Sequence, residues 1–168
     1  VFGHLHLLTV LRIVVFTALI IHVWAAISLT RQAQKARSTK YEKKRTVEAN
    51  YASVTMRYGG TMIALFVLFH LADLTWGVEA LSPGFDRHDP YANVISTFQS
   101  PIAVIFYLLA LVALGFHLYH GNWSLLQTLG FLNRKYDRIV RIVGLLLALV
   151  ITIGFAVVPL AVMFGVLQ

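Results

Sequence analysis

Three histidines, His22, His70 and His117, each stand well inside an otherwise apolar stretch long enough to cross a membrane. An imidazole in hydrocarbon is costly and needs a partner, and haem iron is one of the few that suit it. Three such residues on three helices therefore point to haem ligation, although bis-histidine haems take their ligands in pairs and three is odd. The rival chemistry is proton relay, which normally brings intramembrane carboxylates with it. Only Asp73 qualifies, one turn from His70 and on the same helical face. A single membrane histidine serves as readily as an interhelical hydrogen-bond donor.

Four apolar stretches must position these groups, at about 9–30, 58–78, 101–125 and 140–166, each long enough for a hydrocarbon core of about 30 Å. The expected fold class is an all-α integral membrane protein: one helical bundle over residues 1–168, with four transmembrane helices. Composition agrees, because the chain is 58% hydrophobic and 12% charged, about half the charge of a soluble domain. The absence of cysteine excludes disulfides, thiolate metal sites and iron–sulfur clusters bound by this chain alone. Pro101 suits the first turn of the third stretch, and Pro159 is expected to kink the fourth. Gly144 and Ala148 form a small-xxx-small pair that lets another helix approach closely.

The net charge of +7 is concentrated in two connections. Loop 31–57 carries Arg31, Lys35, Arg37, Lys40, Lys43, Lys44, Arg45 and Arg57 against Glu42 and Glu48, and loop 126–139, with the start of the fourth stretch, adds Arg134, Lys135, Arg138 and Arg141. Loop 79–100 instead holds Glu79, Asp86 and Asp89 against Arg87. By the positive-inside rule the first two loops face the cytoplasm and 79–100 faces outside. The basic loops also fit contact with anionic lipid or docking of a cytoplasmic subunit. No stacking aromatics or nucleic-acid motif accompany them, so no nucleic acid is expected. The chain opens on Val1 rather than Met, outside, so a preceding segment is expected.

Depth orders the histidines. His22 lies about 13 Å from the cytoplasmic end of its helix and His117 about 24 Å from the outer end of its own, so both fall in the cytoplasmic half. His70 lies about 20 Å from the inside, in the outer half. Depth pairs His22 with His117 and leaves His70 without a partner at its level. Haem propionates need cations or hydroxyl donors. Arg57 is placed to meet those of an inner haem or to act as a snorkelling anchor, with Arg31 and Ser124 as weaker candidates. His120 shares the face of His117 and suits a propionate contact, an interfacial position or, as an alternative, ligation. His4, His6 and His88 read as exposed loop residues at or beyond the outer boundary. Gly59, Gly60, Gly115 and Gly121 offer a flat macrocycle room. Trp76 and Trp123 read as interfacial belt residues. Asp73 suits proton transfer, a quinone contact or a loop hydrogen bond.

The segments LIIHVWAAISLTRQ, RTVEANYASVTMRYGGTMIALFVLFHLADLT, YANVISTFQSPIAVIFYLLALVALGFHLYHGNWSLLQTLG and GFAVVPLAV resemble one family throughout. It is the cytochrome b subunit of type B succinate:quinone oxidoreductases, the membrane anchor of bacterial succinate dehydrogenase and fumarate reductase. The HLYHGNWSLLQTLG stretch is its most specific part. The resemblance implies five transmembrane helices with four haem ligands, the four stretches here being the last four.

It further implies two haems b, the inner one held by His22 and His117. The outer one would be held by His70 and a ligand outside this chain, with His120 outside the ligand set. The implied partners are a flavoprotein subunit, which oxidises succinate, and an iron–sulfur subunit on the basic face. A membrane quinone, with Asp73 and Trp76 as candidate quinone or proton-path residues, and the lipid bilayer complete the set; a higher oligomer is possible. The implied location is the bacterial cytoplasmic membrane. The alternatives are the cytochrome b subunit of a formate dehydrogenase or hydrogenase, and a non-redox proton-coupled transporter subunit.

Overall fold

The computed structural model describes residues 2–36 and 51–168, with side chains from residue 6 to 36 and from 56 onward. The basic cluster from Arg37 to Arg45 and Glu48 lies outside the described residues. The described residues form five α-helices: α1 Phe2–Lys35, α2 Tyr51–Leu74, α3 Pro90–Phe98, α4 Pro101–Thr128 and α5 Asp137–Met163. No strand occurs among the described residues, and the chain is an all-helical membrane bundle as its composition requires. The described residues fall into two units, Val1–Thr46, which holds α1, and Val47–Gln168, which holds α2 to α5.

The helices begin and end earlier or later than the apolar runs alone indicate. α1 extends to both sides of 9–30, so His4 and His6 are helical rather than loop residues. α1, α4 and α5 are each long and apolar enough to cross a membrane. The second stretch does not reach that threshold among the described residues, because Arg57, His70 and Asp73 dilute a helix of ordinary spanning length. Loop 79–100 also contains a short helix that its polar composition hides. Pro90 opens α3 at its first turn, and the Asp89 carboxylate accepts from the Ala92 N–H at 2.9 Å as its N-cap.

Pro101 opens α4 as expected. α5 runs on through Pro159 to Met163. α4 and α5 pack as an antiparallel pair, and the small residues explain how closely. Gly144 and Ala148 are both buried, and a β-carbon on Gly144 would stand 3.6 Å from Asn122 Cβ and 3.7 Å from the Tyr119 carbonyl. Gly115 plays the converse part on α4, with its missing β-carbon pointing at the Thr152 hydroxyl of α5. Close approach of this kind replaces the hydrophobic drive that helices lack within lipid.

The best-packed core lies at the end of the bundle where α2 ends and α4 begins. Ile95, Phe98, Val104, Tyr107 and Val162 are buried there, with Phe66, Phe69, Leu74, Val94 and Leu108 against them. The turn after α2 needs Gly77, whose φ is +61° and whose hypothetical β-carbon would lie 2.1 Å from Phe85 Cδ1. The following turn is pinned by Asn93, which accepts from the Asp86 N–H at 3.0 Å and donates to the Asp86 carbonyl at 2.6 Å.

Candidate functional site

Asp73 is the most buried ionisable group described, at 1% exposure, and it sits one residue before the end of α2. A carboxylate is tolerable there only if its oxygens are hydrogen-bonded. Tyr107 of α4 donates its hydroxyl to Oδ2 at 2.9 Å, and Thr97 of α3 donates to Oδ1 at 3.1 Å. The Ser82 hydroxyl, on the turn after α2, bridges Oδ1 and the Asp73 carbonyl. Three separate elements thus converge on one carboxylate.

His70 joins this cluster through Tyr107, with Nδ1 3.3 Å from the tyrosine oxygen. The Tyr107 ring is held edge-on by Phe98 at 4.8 Å and by Phe66 at 4.9 Å between centroids, so its hydroxyl has a fixed direction. Thr97, Ser82 and Asp73 also line a cleft of about 420 Å³ bounded by Phe69, Phe85 and Asn93. That volume suits a single-ring ligand. Trp76 is exposed and does not line this cleft, so Asp73 and Trp76 do not share one site.

His117 belongs to a different tier. It lies against α2 at Gly60, where a β-carbon would stand 3.6 Å from His117 Cε1. Ten residues separate Gly60 from His70, and ten separate Tyr107 from His117, so the tiers are about 15 Å apart along the antiparallel helices. His70 and His117 therefore stand at different levels along the α2–α4 pair. Of the four glycines, Gly59 and Gly60 face α4 and Gly115 faces α5, whereas Gly121 has no such neighbour. His22 and Arg31 lie on α1, in the other unit.

Of the polar candidates near His117, Arg57 is exposed, and its carbonyl accepts from the Thr61 hydroxyl at 3.0 Å. The Ser124 carbonyl accepts from Thr128 at 2.9 Å. His120 faces Trp123, with centroids 6.0 Å apart, and its buried Nδ1 has no hydrogen-bond partner among the described residues. His88 is an exposed loop residue, as expected.

Trp123 is more than a belt residue. Its indole N–H donates to Asp137 at 2.8 Å, and Arg141 reaches the same carboxylate at 2.8 Å while lying over the indole ring at 4.4 Å. Arg141 is therefore committed to α5 and α4, leaving Arg134, Lys135 and Arg138 as the exposed cations of the segment that joins these helices.

Tyr107, Thr97, Ser82 and the Asp137–Arg141 pair are the site residues that pattern reading missed. Tyr107 had a signal: it sits six residues inside Pro101, at the level of His70 and Asp73, and a hydroxyl within an apolar stretch needs a partner. Thr97 and Ser82 had none, because only the tertiary turn and α3 bring them to Asp73.

The donor set suits nitrogen ligation of a metal macrocycle. His70 has one ring nitrogen engaged, which frees the other, and Gly60 leaves space beside His117. The buried carboxylate and its hydroxyls suit proton exchange with a ligand in the cleft. The family model for the succinate dehydrogenase/fumarate reductase transmembrane subunit matches residues 32–158. Neither the curated proteins nor the solved structures contain a match to this chain.

Proposed function

This chain belongs to the succinate dehydrogenase/fumarate reductase transmembrane subunit family, and we propose that it is the haem-bearing cytochrome b anchor of a type B succinate:quinone oxidoreductase. Membership makes it a membrane subunit of that oxidoreductase complex. The finer reading is that it carries electrons between an iron–sulfur subunit and a membrane quinone. It is favoured over a formate dehydrogenase or hydrogenase cytochrome b, and over a proton-coupled transporter subunit, because the family match covers α2 and α4 in full and most of α5, although it takes in only the last turn of α1.

The single observation that carries the haem assignment is the two-tier placement of His70 and His117. His117 with His22 would hold an inner haem b, and His70 with a ligand outside this chain would hold an outer one. Haem supplies one-electron transfer, and two histidine ligands leave the iron no open position. Arg57, with Arg31, His120 and Ser124 as further candidates, would meet the propionates of the inner group. Arg134, Lys135 and Arg138 would face the iron–sulfur subunit, with the flavoprotein beyond it, on the cytoplasmic side of a bacterial membrane.

At the outer end, the cleft beside Asp73 would take the quinone ring. Reduction of a quinone to a quinol consumes two electrons and two protons. Asp73 would pass protons to the ring oxygens, with Ser82 and Thr97 orienting it. Trp76, exposed on the adjoining turn, would anchor that end at the membrane interface.

Reduced-minus-oxidised spectra of the purified complex test the assignment. Two haem b components are expected, and His22→Ala and His117→Ala should each remove the same one. Loss of different haems in the two variants would overturn the pairing, and absence of haem b bands would overturn the cytochrome reading.

A further inference from the structure

The Asp73 cluster contains a proton count that decides the state of His70. An ionised carboxylate only accepts hydrogen bonds, and a tyrosine hydroxyl has one proton to give. Tyr107 gives that proton to Asp73 Oδ2 at 2.9 Å. Toward His70, 3.3 Å away, the same oxygen can then only accept. With Asp73 ionised, His70 therefore carries its hydrogen on Nδ1 and keeps its lone pair on Nε2.

We propose that Tyr107 is a positioning residue that, through the negative charge of Asp73, fixes His70 in its Nδ1–H tautomer and makes it a stronger electron donor at Nε2. The proposal rests on the reading of His70 as a haem ligand and adds to it what sets that ligand's strength.

Three features make this a built arrangement. Asp73 lies one turn from His70 on α2, so the pair shares a helical face whatever α4 does. The aromatic contacts of Phe66 and Phe98 hold the Tyr107 ring between them. Ser82 and Thr97 occupy Oδ1, which keeps Oδ2 directed at Tyr107. A ligand histidine whose second nitrogen donates toward a carboxylate gains basicity. A more basic ligand favours the oxidised iron, so the link should hold the reduction potential of the His70 haem down.

The test is an anaerobic potentiometric titration of the assembled complex, with electron paramagnetic resonance of the oxidised haems alongside. His70→Ala first identifies which haem depends on His70. Tyr107→Phe, which keeps the ring packing, should raise the midpoint of that haem alone and move its low-field resonance. Asp73→Asn, which keeps an acceptor but removes the charge, should raise the same midpoint. Ser82→Ala loosens the same carboxylate at Oδ1 but leaves its charge and the Tyr107 hydroxyl in place, so it should move the midpoint less than Tyr107→Phe does.

The proposal is overturned if Tyr107→Phe moves neither the midpoint nor the resonance, or if Ser82→Ala moves them equally. A His70→Ala complex that keeps both haems overturns the ligand reading itself, a different failure seen in a different variant.

Discussion

Gly60 of α2 and His117 of α4 face each other so closely that a β-carbon on the glycine would stand 3.6 Å from the imidazole Cε1. That distance is ordinary contact for a methyl group and too short for anything larger. Gly60→Ala should therefore keep the full haem complement, and Gly60→Leu should lose the haem that His117→Ala loses. Pyridine haemochromogen assay of the purified complex measures both. Full haem content in the leucine variant would show that His117 has room to turn aside.

Replacing Asp73 by Leu removes the acceptor of Thr97 outright and one of two partners each from Tyr107, which keeps His70 Nδ1, and Ser82, which keeps the residue 73 carbonyl. An unsatisfied hydroxyl costs about 1–3 kcal/mol, so the thermal midpoint of the complex should fall markedly. Asp73→Asn retains an acceptor and should fall much less. The asparagine variant should also lose quinone reduction by about tenfold or more, the range of general acid–base catalysis. Succinate oxidation with a soluble dye should continue, since in the proposed reading that chemistry would belong to other subunits. Equal losses with quinone and dye would remove Asp73 from the quinone step.

Gly77→Ala combines a left-handed backbone angle with a β-carbon 2.1 Å from the Phe85 ring. Strain of this type costs about 1–3 kcal/mol before the ring moves. A companion Phe85→Ala change relieves the collision but not the backbone angle, so it should restore only part of the thermal midpoint. Complete recovery would mean that the backbone angle costs nothing.

Trp123→Phe keeps an aromatic surface under Arg141 and deletes the donor to Asp137. A single hydrogen bond at a half-exposed position is worth about 1 kcal/mol. The Asp137–Arg141 ion pair, 36–38% exposed, adds less than that bond because solvent screens it. Asp137→Ala removes both and should destabilise more than either Trp123→Phe or Arg141→Ala. A thermal series on the three variants reads the order, and Arg141→Ala as the most damaging would reverse it.

Much of this arrangement was legible in the sequence because lipid leaves few options. Apolar length located α1, α4 and α5, Pro101 marked a helix start, and Gly144 with Ala148 marked a close packing face. Counting residues along two antiparallel helices separated His70 from His117, since rise per residue is nearly constant in an α-helix. What stayed hidden depends on contacts between distant residues. The α3 helix is short and lies in a polar loop, where periodicity has too few residues to register. Its N-cap Asp89 counted only as one more negative charge outside. Thr97 and Ser82 became site residues through the fold of that loop alone. Arg141 belongs by sequence with the cations of the second basic connection, and only the structure shows it paired with the carboxylate one turn away.

The α4–α5 pair carries its own fasteners: Gly144 and Ala148 along the contact, and Trp123, Asp137 and Arg141 across the open end. None of them depends on a macrocycle, a quinone or another subunit. In a nascent chain leaving the translocon, these two helices can close as a hairpin as soon as both are in the bilayer. Biogenesis then begins from a preformed wall, and α2 has a finished surface to dock on before any cofactor is needed.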